Sequence, residues 1–203
     1  MSEAYVQAIR AMEELRKREA RKAALNWKPY PSQALAVQSF AKYACLLGGN
    51  QSGKSHTAAH KVTYDATGIY PDWWEGPRTK KGIDVWVVGE KFVTTRDSCQ
   101  KKLFGDNLDQ PGAGGLITPE QILGKPSRSS GVTGMIDQIK IKHISGHTST
   151  ITFKTYEQGR EALASWTGDL IWVDEEPPQD CFEELTMRLI ARKGQMIITF
   201  TPL

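Results

Sequence analysis

Two stretches of this sequence have residue types and spacings that can do chemistry together. The first is LLGGNQSGKS, ending at Ser55. Gly48, Gly53, Lys54 and Ser55 satisfy the pattern GxxxxGK[ST], in which glycines let the backbone curl so that successive amides point inward at phosphate oxygens. The amides from Gly48 through Gly49, Asn50, Gln51, Ser52 and Gly53 to Ser55 and His56 would form that cradle, and a helix N-terminus would add positive potential. Lys54 is placed to reach the β and γ phosphates of a nucleoside triphosphate, and Ser55 to supply a hydroxyl to Mg2+. An apolar strand before the loop and a helix after it are the context that the motif requires.

The second stretch is LIWVDEEPP, roughly 120 residues downstream. An apolar strand that delivers Asp174 at its end sets a carboxylate where it can hold Mg2+. Glu175 follows as the candidate general base for an attacking water. Neighbours on a regular strand face opposite sides, so both acids reach one site only if the strand ends there; Pro177 and Pro178 signal that end. Glu176 competes for the role of base, and its plainer reading is a solvated acid at the start of the next helix.

Other groupings have simpler explanations. His56 and His60 stand one helical turn apart and His143 and His147 flank a turn, but neither pair has an evident third metal ligand. Trp73 and Trp74, near Arg78, Lys80 and Lys81, could stack on nucleic acid; a turn packed onto the core by its tryptophans is the plainer reading. Three widely spaced cysteines, Cys45, Cys99 and Cys181, argue against a disulfide framework and fit a reducing cytosol.

The elements that must hold these residues alternate along the chain. A charged helix is expected over about 3–25, with the basic run RKREARK, and a break at WKPYPSQ, where two prolines interrupt it. That gives an N-terminal helix over 1–26 and one catalytic domain over 27–203. Within the domain the sequence predicts a helix over about 33–42, the strand YACLLGG, a helix over 54–66, the strand IDVWVVGE and a helix over 94–104. A glycine-rich loop follows over 105–134, with a short helix after Thr118. Next come a hairpin from Ile136 to ITFKTY, the strand DLIWVD, a helix over 178–192 and the strand QMIITFTP. Such alternation predicts an α/β fold with a mostly parallel sheet covered on both faces, an antiparallel hairpin being the addition. With 26 basic and 23 acidic residues the chain is mildly basic, which permits a polyanionic partner without requiring one. The longest apolar runs are strand-sized, and neither a membrane span nor an export signal is seen.

Taken in order, PYPSQ, GGNQSGKS, GIYPDWWEG, YEQGR, WVDEEPP and ITFTPL resemble the ATPase half of the large terminase subunit, the DNA-packaging motor of tailed phages. The resemblance covers about 27–203 and implies a P-loop NTPase fold of the RecA-like, ASCE type. It implies that Gln33 reads the adenine edge with Tyr30 beside it. It also implies that Thr201, in TFTP, lies on a strand between those of the phosphate loop and Asp174, and couples loss of the γ phosphate to movement. Many relatives carry an arginine inside the phosphate loop, where this sequence has Asn50. Arg160, in YEQGR, stands where the family has an arginine able to reach a neighbouring subunit's site; an ion pair is its plain alternative. Arg188 and Arg192 are further candidates that read more simply as helix-surface charges.

The resemblance thus implies an Mg2+-dependent ATPase that drives double-stranded DNA into a procapsid. Its partners would be DNA, the small terminase subunit and the portal, and it would form a homo-oligomer on the portal with a monomer allowed in isolation. It would act in the host cytoplasm and stay out of the virion. The family's C-terminal nuclease domain is not expected within this chain. A helicase-like ATPase and a nucleotide-dependent docking module with little turnover share the same phosphate loop and acidic strand, and stand as alternatives.

Overall fold

In the computed structural model the described residues are Tyr5, Val6, Gln7, Ile9, Met12, 24–107, 109–129 and 131–202. The helix expected over 3–25, with its basic run, therefore lies largely outside the described residues. Those of its positions that are described before residue 26 are helical.

Short apolar runs become strands and amphipathic runs become helices. In chain order these are α1 (Pro31–Val37), β1 (Tyr43–Leu47), α2 (Lys54–Thr67), β2 (Asp84–Gly89), α3 (Phe92–Thr95) and α4 (Lys101–Phe104). Then follow β3 (Ile122–Arg128), β4 (Ile136–Lys142), β5 (Thr148–Thr155), β6 (Leu170–Asp174), α5 (Gln179–Arg188) and β7 (Gln195–Phe200). One seven-stranded sheet has the order β1-β7-β6-β2-β5-β4-β3. The first five are parallel neighbours, and β4 and β3 add antiparallel pairs at the far edge. The strand bearing the TFTP motif does lie between the phosphate-loop strand and the Asp174 strand, through parallel pairing on both sides.

Two apolar layers hold the sheet. On one face Val85, Val87, Phe153, Trp172 and Ile197 pack against α2, while on the other Trp86, Val88, Ile171, Val173 and Ile198 meet Cys181, Leu185 and Leu189 around α5. α2 is buried along its length after His56, enclosing even the Lys61–Asp65 ion pair at 2.8 Å. It ends at Gly68, whose φ of +70° and close approach to the His143 ring leave room only for glycine. Trp73 and Trp74 pack on this core, as the plainer reading of that turn required.

Several expected boundaries change. α1 stops at Val37 rather than near Lys42. The helix expected over 94–104 starts at Phe92 and contains a π turn, Arg96–Gln100, between α3 and α4. α5 ends at Arg188, short of Arg192, with Gly194 bonding back to Leu189. The largest difference lies in 105–134, read as loop: after a 3-10 turn at Pro119–Gln121 it contains β3, so the hairpin is a three-stranded extension. ILGKPSR has a glycine, a proline and no alternation, and only its pairing with β4 makes it a strand. Cys45 is exposed on β1, whereas Cys99 and Cys181 are buried; all three thiols are free.

Candidate nucleotide site

The site forms at the carboxyl ends of β1, β7 and β6, where an open α/β sheet presents its loops. Between β1 and α2 the loop turns through left-handed residues, Gln51 at φ +63° and Gly53 at φ +83°. The Lys54 ammonium folds back across it, donating to the carbonyls of Gly48 (2.7 Å) and Gly49 (2.9 Å) and to Thr201 Oγ1 (3.1 Å). Thr201 Oγ1 in turn donates to Asn50 Oδ1 at 3.4 Å. β7 thus delivers Thr201 directly onto the phosphate loop, because its partner β1 feeds that loop.

Asp174 is the centre of a hydroxyl cluster. Ser55 Oγ donates to its Oδ1 at 2.9 Å and Thr199 Oγ1 to the same oxygen at 2.8 Å, while Ser98 Oγ donates to Oδ2 at 3.1 Å. Thr199 is itself aimed by the buried Trp172 indole, whose Nε1 donates to it at 3.0 Å. A carboxylate with this many donors is held in one orientation. The oxygen donors of Ser55 and Asp174 fit a hard cation such as Mg2+.

Glu175 has φ +65°, an uncommon conformation for a residue with a Cβ. Its N–H donates to Thr199 O at 2.7 Å, and its Oε2 accepts from the Thr201 N–H at 3.3 Å. The strand does end at Asp174, and this backbone turn swings Glu175 to the same side as its neighbour. Glu176 is exposed beyond it, beside Pro177 and Pro178.

On the other side of the loop, Gln33 Oε1 accepts from the Tyr30 N–H at 2.9 Å and its amide nitrogen donates to Ser52 O at 3.4 Å. Gln33 therefore stands against the phosphate loop, and the Tyr30 ring is exposed beside it. Trp27 stacks on His60 with ring centroids 4.1 Å apart and meets His56 edge-on. Burial pushes the His60 pKa down to about 4, with the bond to the His56 carbonyl opposing the shift. His56 is lowered by burial and by the Lys102 charge. Both rings are packing partners of Trp27, and His143 is likewise engaged, with Thr79, Ser145 and, through its carbonyl, Gly146. Among the described residues no group of three or more His, Cys, Asp or Glu side chains gathers to hold a metal.

The arginine candidates separate. Arg160 donates to Glu184 Oε2 at 3.0 Å with about half of its side chain exposed, and Arg188 meets the same carboxylate at 2.7 Å. Arg192 bridges Asp84 and Asp169 at the opposite end of the strands from the phosphate loop. Arg192 is thus placed away from the phosphate loop of its own chain. Ser98, Thr199 and Trp172 escaped the sequence reading. Thr199 was within reach of it: two residues before Thr201, it shares that strand's face. A serine in an apparent helix gave no such signal.

The chain as a whole is similar to proteins already described. The family described as Terminase large subunit, T4likevirus-type, N-terminal, matches residues 45–203. The chain belongs to the large-terminase family. The "Terminase, large subunit" of Salmonella phage P22 is 31% identical over 202 residues, covering 88% of this chain and 40% of that protein. The chain thus spans about 40% of the length of that relative. The Thermus phage P74-26 large terminase ATPase domain superposes with a TM-score of 0.55 at 18% identity, covering 89% of this chain and 68% of the other. The large terminase of another phage, a thermophilic bacteriophage, was solved in complex with ADP; it gives 0.54 at 13% identity over 84% of this chain and 38% of its own. These likenesses establish the α/β P-loop NTPase fold that the ordered motifs of this terminase-family chain implied.

Proposed function

We propose that this chain binds ATP with Mg2+ and hydrolyses it to ADP and phosphate, as the motor domain that drives double-stranded DNA into a phage procapsid. The observation that carries the reading is the convergence of Lys54, Ser55, Asp174, Glu175 and Thr201 within one hydrogen-bonded cluster, although they are spread from residue 54 to residue 201. Nucleotide binding is supported by the ADP found in the large terminase of the thermophilic bacteriophage.

In this reading the loop amides and Lys54 bind the phosphates, and Gln33 and Tyr30 take the adenine. Ser55 and Asp174 hold Mg2+, which neutralises phosphate charge. Glu175 accepts the proton of the attacking water. Thr201 touches both Lys54 and Asn50 and is bonded through its backbone to Glu175, so a change at the phosphates moves the end of β7. Asn50 supplies no positive charge, and Arg160 is our candidate for a charge given to a neighbouring copy's site. The DNA, small-subunit and portal partners, the homo-oligomer and the host-cytoplasmic setting follow from the same reading.

Glu175→Ala tests the assignment. Phosphate release should fall about 10²–10⁴-fold, the range that general base catalysis supplies, while ADP and ATP still bind. Hydrolysis at the parent rate would remove Glu175 from the role.

A further inference from the structure

The antiparallel extension carries charge out of proportion to its size. Residues 122–155 hold five basic side chains, Lys125, Arg128, Lys140, Lys142 and Lys154, against one acid, Asp137. Their net charge of +4 exceeds the +3 of the entire chain, so all the remaining residues together sum to −1.

Register places much of this charge on one face. Gln138, Lys140 and Lys142 stand opposite Thr152, Thr150 and Thr148, and opposed residues of an antiparallel pair point to the same side. The bond from Gln138 Nε2 to Thr152 Oγ1 at 3.2 Å agrees. Lys154, two residues beyond Thr152, continues the row and lies 5.7 Å from the centre of the Trp86 ring. The alternate residues Ile139, Ile141, Ile151 and Phe153 enter the core. Trp166 stacks on Trp86 and covers the sheet there, but Lys140, Lys142 and Thr148 are exposed. Asp84 is the β2 carboxylate opposite Thr150, and it is already engaged by Arg192 at 2.7 Å. Among the described residues none of Lys125, Lys140, Lys142 and Lys154 makes an ion pair.

Protection of a sheet edge accounts for Lys125 and Pro126, which lie on the edge strand β3. It does not account for Lys140, Lys142 and Lys154, since β4 and β5 are paired on both sides. Lys140 and Lys142 are about 7 Å apart along the strand, with threonine hydroxyls beside them. A flat row of ammonium and hydroxyl donors suits successive phosphates of a nucleic-acid backbone and has no element that could enter a groove to read bases.

We propose that the outer face of β4 and β5 is where this chain grips the phosphates of duplex DNA, an inference that rests on the motor reading above. The face is also tied to the nucleotide site. Gln100 of the π turn donates to Gly134 O (2.9 Å) and accepts from the Ile136 N–H (2.8 Å) at the start of β4, while Ser98 of the same turn donates to Asp174.

The test is binding of the chain to two fluorescent 30-base-pair duplexes of unrelated sequence across a salt series, with ADP binding measured on the same samples. Lys140→Gln with Lys142→Gln is compared with the parent and with Lys80→Gln plus Lys81→Gln as a basic-loop control. The β4 double variant should lose roughly 10–50-fold in affinity near 0.1 M salt for both duplexes, and its log–log salt slope should become shallower by about 1.8. Its ADP affinity and melting temperature should match the parent, and the control should keep the parent's DNA binding. A folded double variant with parental DNA affinity and slope overturns the proposal, as does a parent that binds ADP but no duplex. Loss of binding to an acidic protein partner with DNA binding intact would assign the face to that partner instead. A parent that binds no nucleotide overturns the motor reading itself.

Discussion

In β6 every residue from Leu170 to Asp174 is buried, and in β2 so is every residue after Asp84; in β4 exposed Gln138, Lys140 and Lys142 alternate with buried isoleucines. The central parallel strands β2 and β6 are enclosed on both faces and read as continuous apolar runs, whereas the antiparallel extension has one face in the core and one in solvent. The two regions also divide the chemistry. The parallel part gathers Lys54, Ser55, Asp174 and Glu175, and the extension, at +4, holds more than the +3 net charge of the whole chain. What joins them is short: β5, shared by both, and the π turn that bonds Asp174 through Ser98 and Gly134 through Gln100.

Substitutions can sharpen this division, and the largest effect belongs to the parallel side. Lys54→Ala should weaken nucleotide binding roughly 10–100-fold, the worth of a charge-assisted hydrogen bond, while leaving the extension's DNA affinity unchanged. Titration with ADP and with duplex DNA would check both halves; a parallel loss of DNA binding would break the separation.

Thr199→Val should cost about 1–3 kcal/mol of stability, because the Trp172 indole loses its acceptor while buried and Asp174 loses a donor. Denaturant unfolding measures it, and an unchanged midpoint would mean that the cluster is not held from beneath. Gln100→Ala should cost a similar amount but locally: hydrogen exchange should quicken over 134–142 and stay as in the parent over 170–174. Equal quickening in both segments would show one cooperative unit in place of two regions joined by a turn.

Smaller effects probe the junction and the helix beneath the loop. Ser98→Ala leaves Asp174 with the Ser55 and Thr199 donors, so the Mg2+ concentration for half-maximal ADP binding should rise a few-fold, with Ser98→Thr restoring it. For His60 the folded pKa of about 4 lies below the ordinary 6.5. The unfolded chain then binds more protons between those values, and stability falls as pH drops through that window. His60→Gln should flatten the slope there by up to about 1.4 kcal/mol per pH unit, as read from melting at several pH values.

Legibility in the sequence followed the same division. The parallel strands are short apolar runs bounded by glycine, proline or acid, so β1, β2, β6 and β7 could be read directly, and so could the phosphate loop and the turn after Asp174. β3 could not, because ILGKPSR contains the residues that usually end a strand. The π turn was hidden for a related reason: inserting it changes no side-chain type, only the registry of bonds within one helix.

Residue identity by itself determined the phosphate cradle, the acids after the apolar strand and the strand–helix alternation, since each depends on local backbone geometry or on contiguous neighbours. Only the tertiary structure decided that Ser98, Ser55 and Thr199 converge on one carboxylate, that Thr201 bonds Lys54, and that Lys140 and Lys142 share an open face with a row of threonines. Those facts depend on strand order and register, which arise from contacts between residues far apart in the chain and which no local pattern encodes.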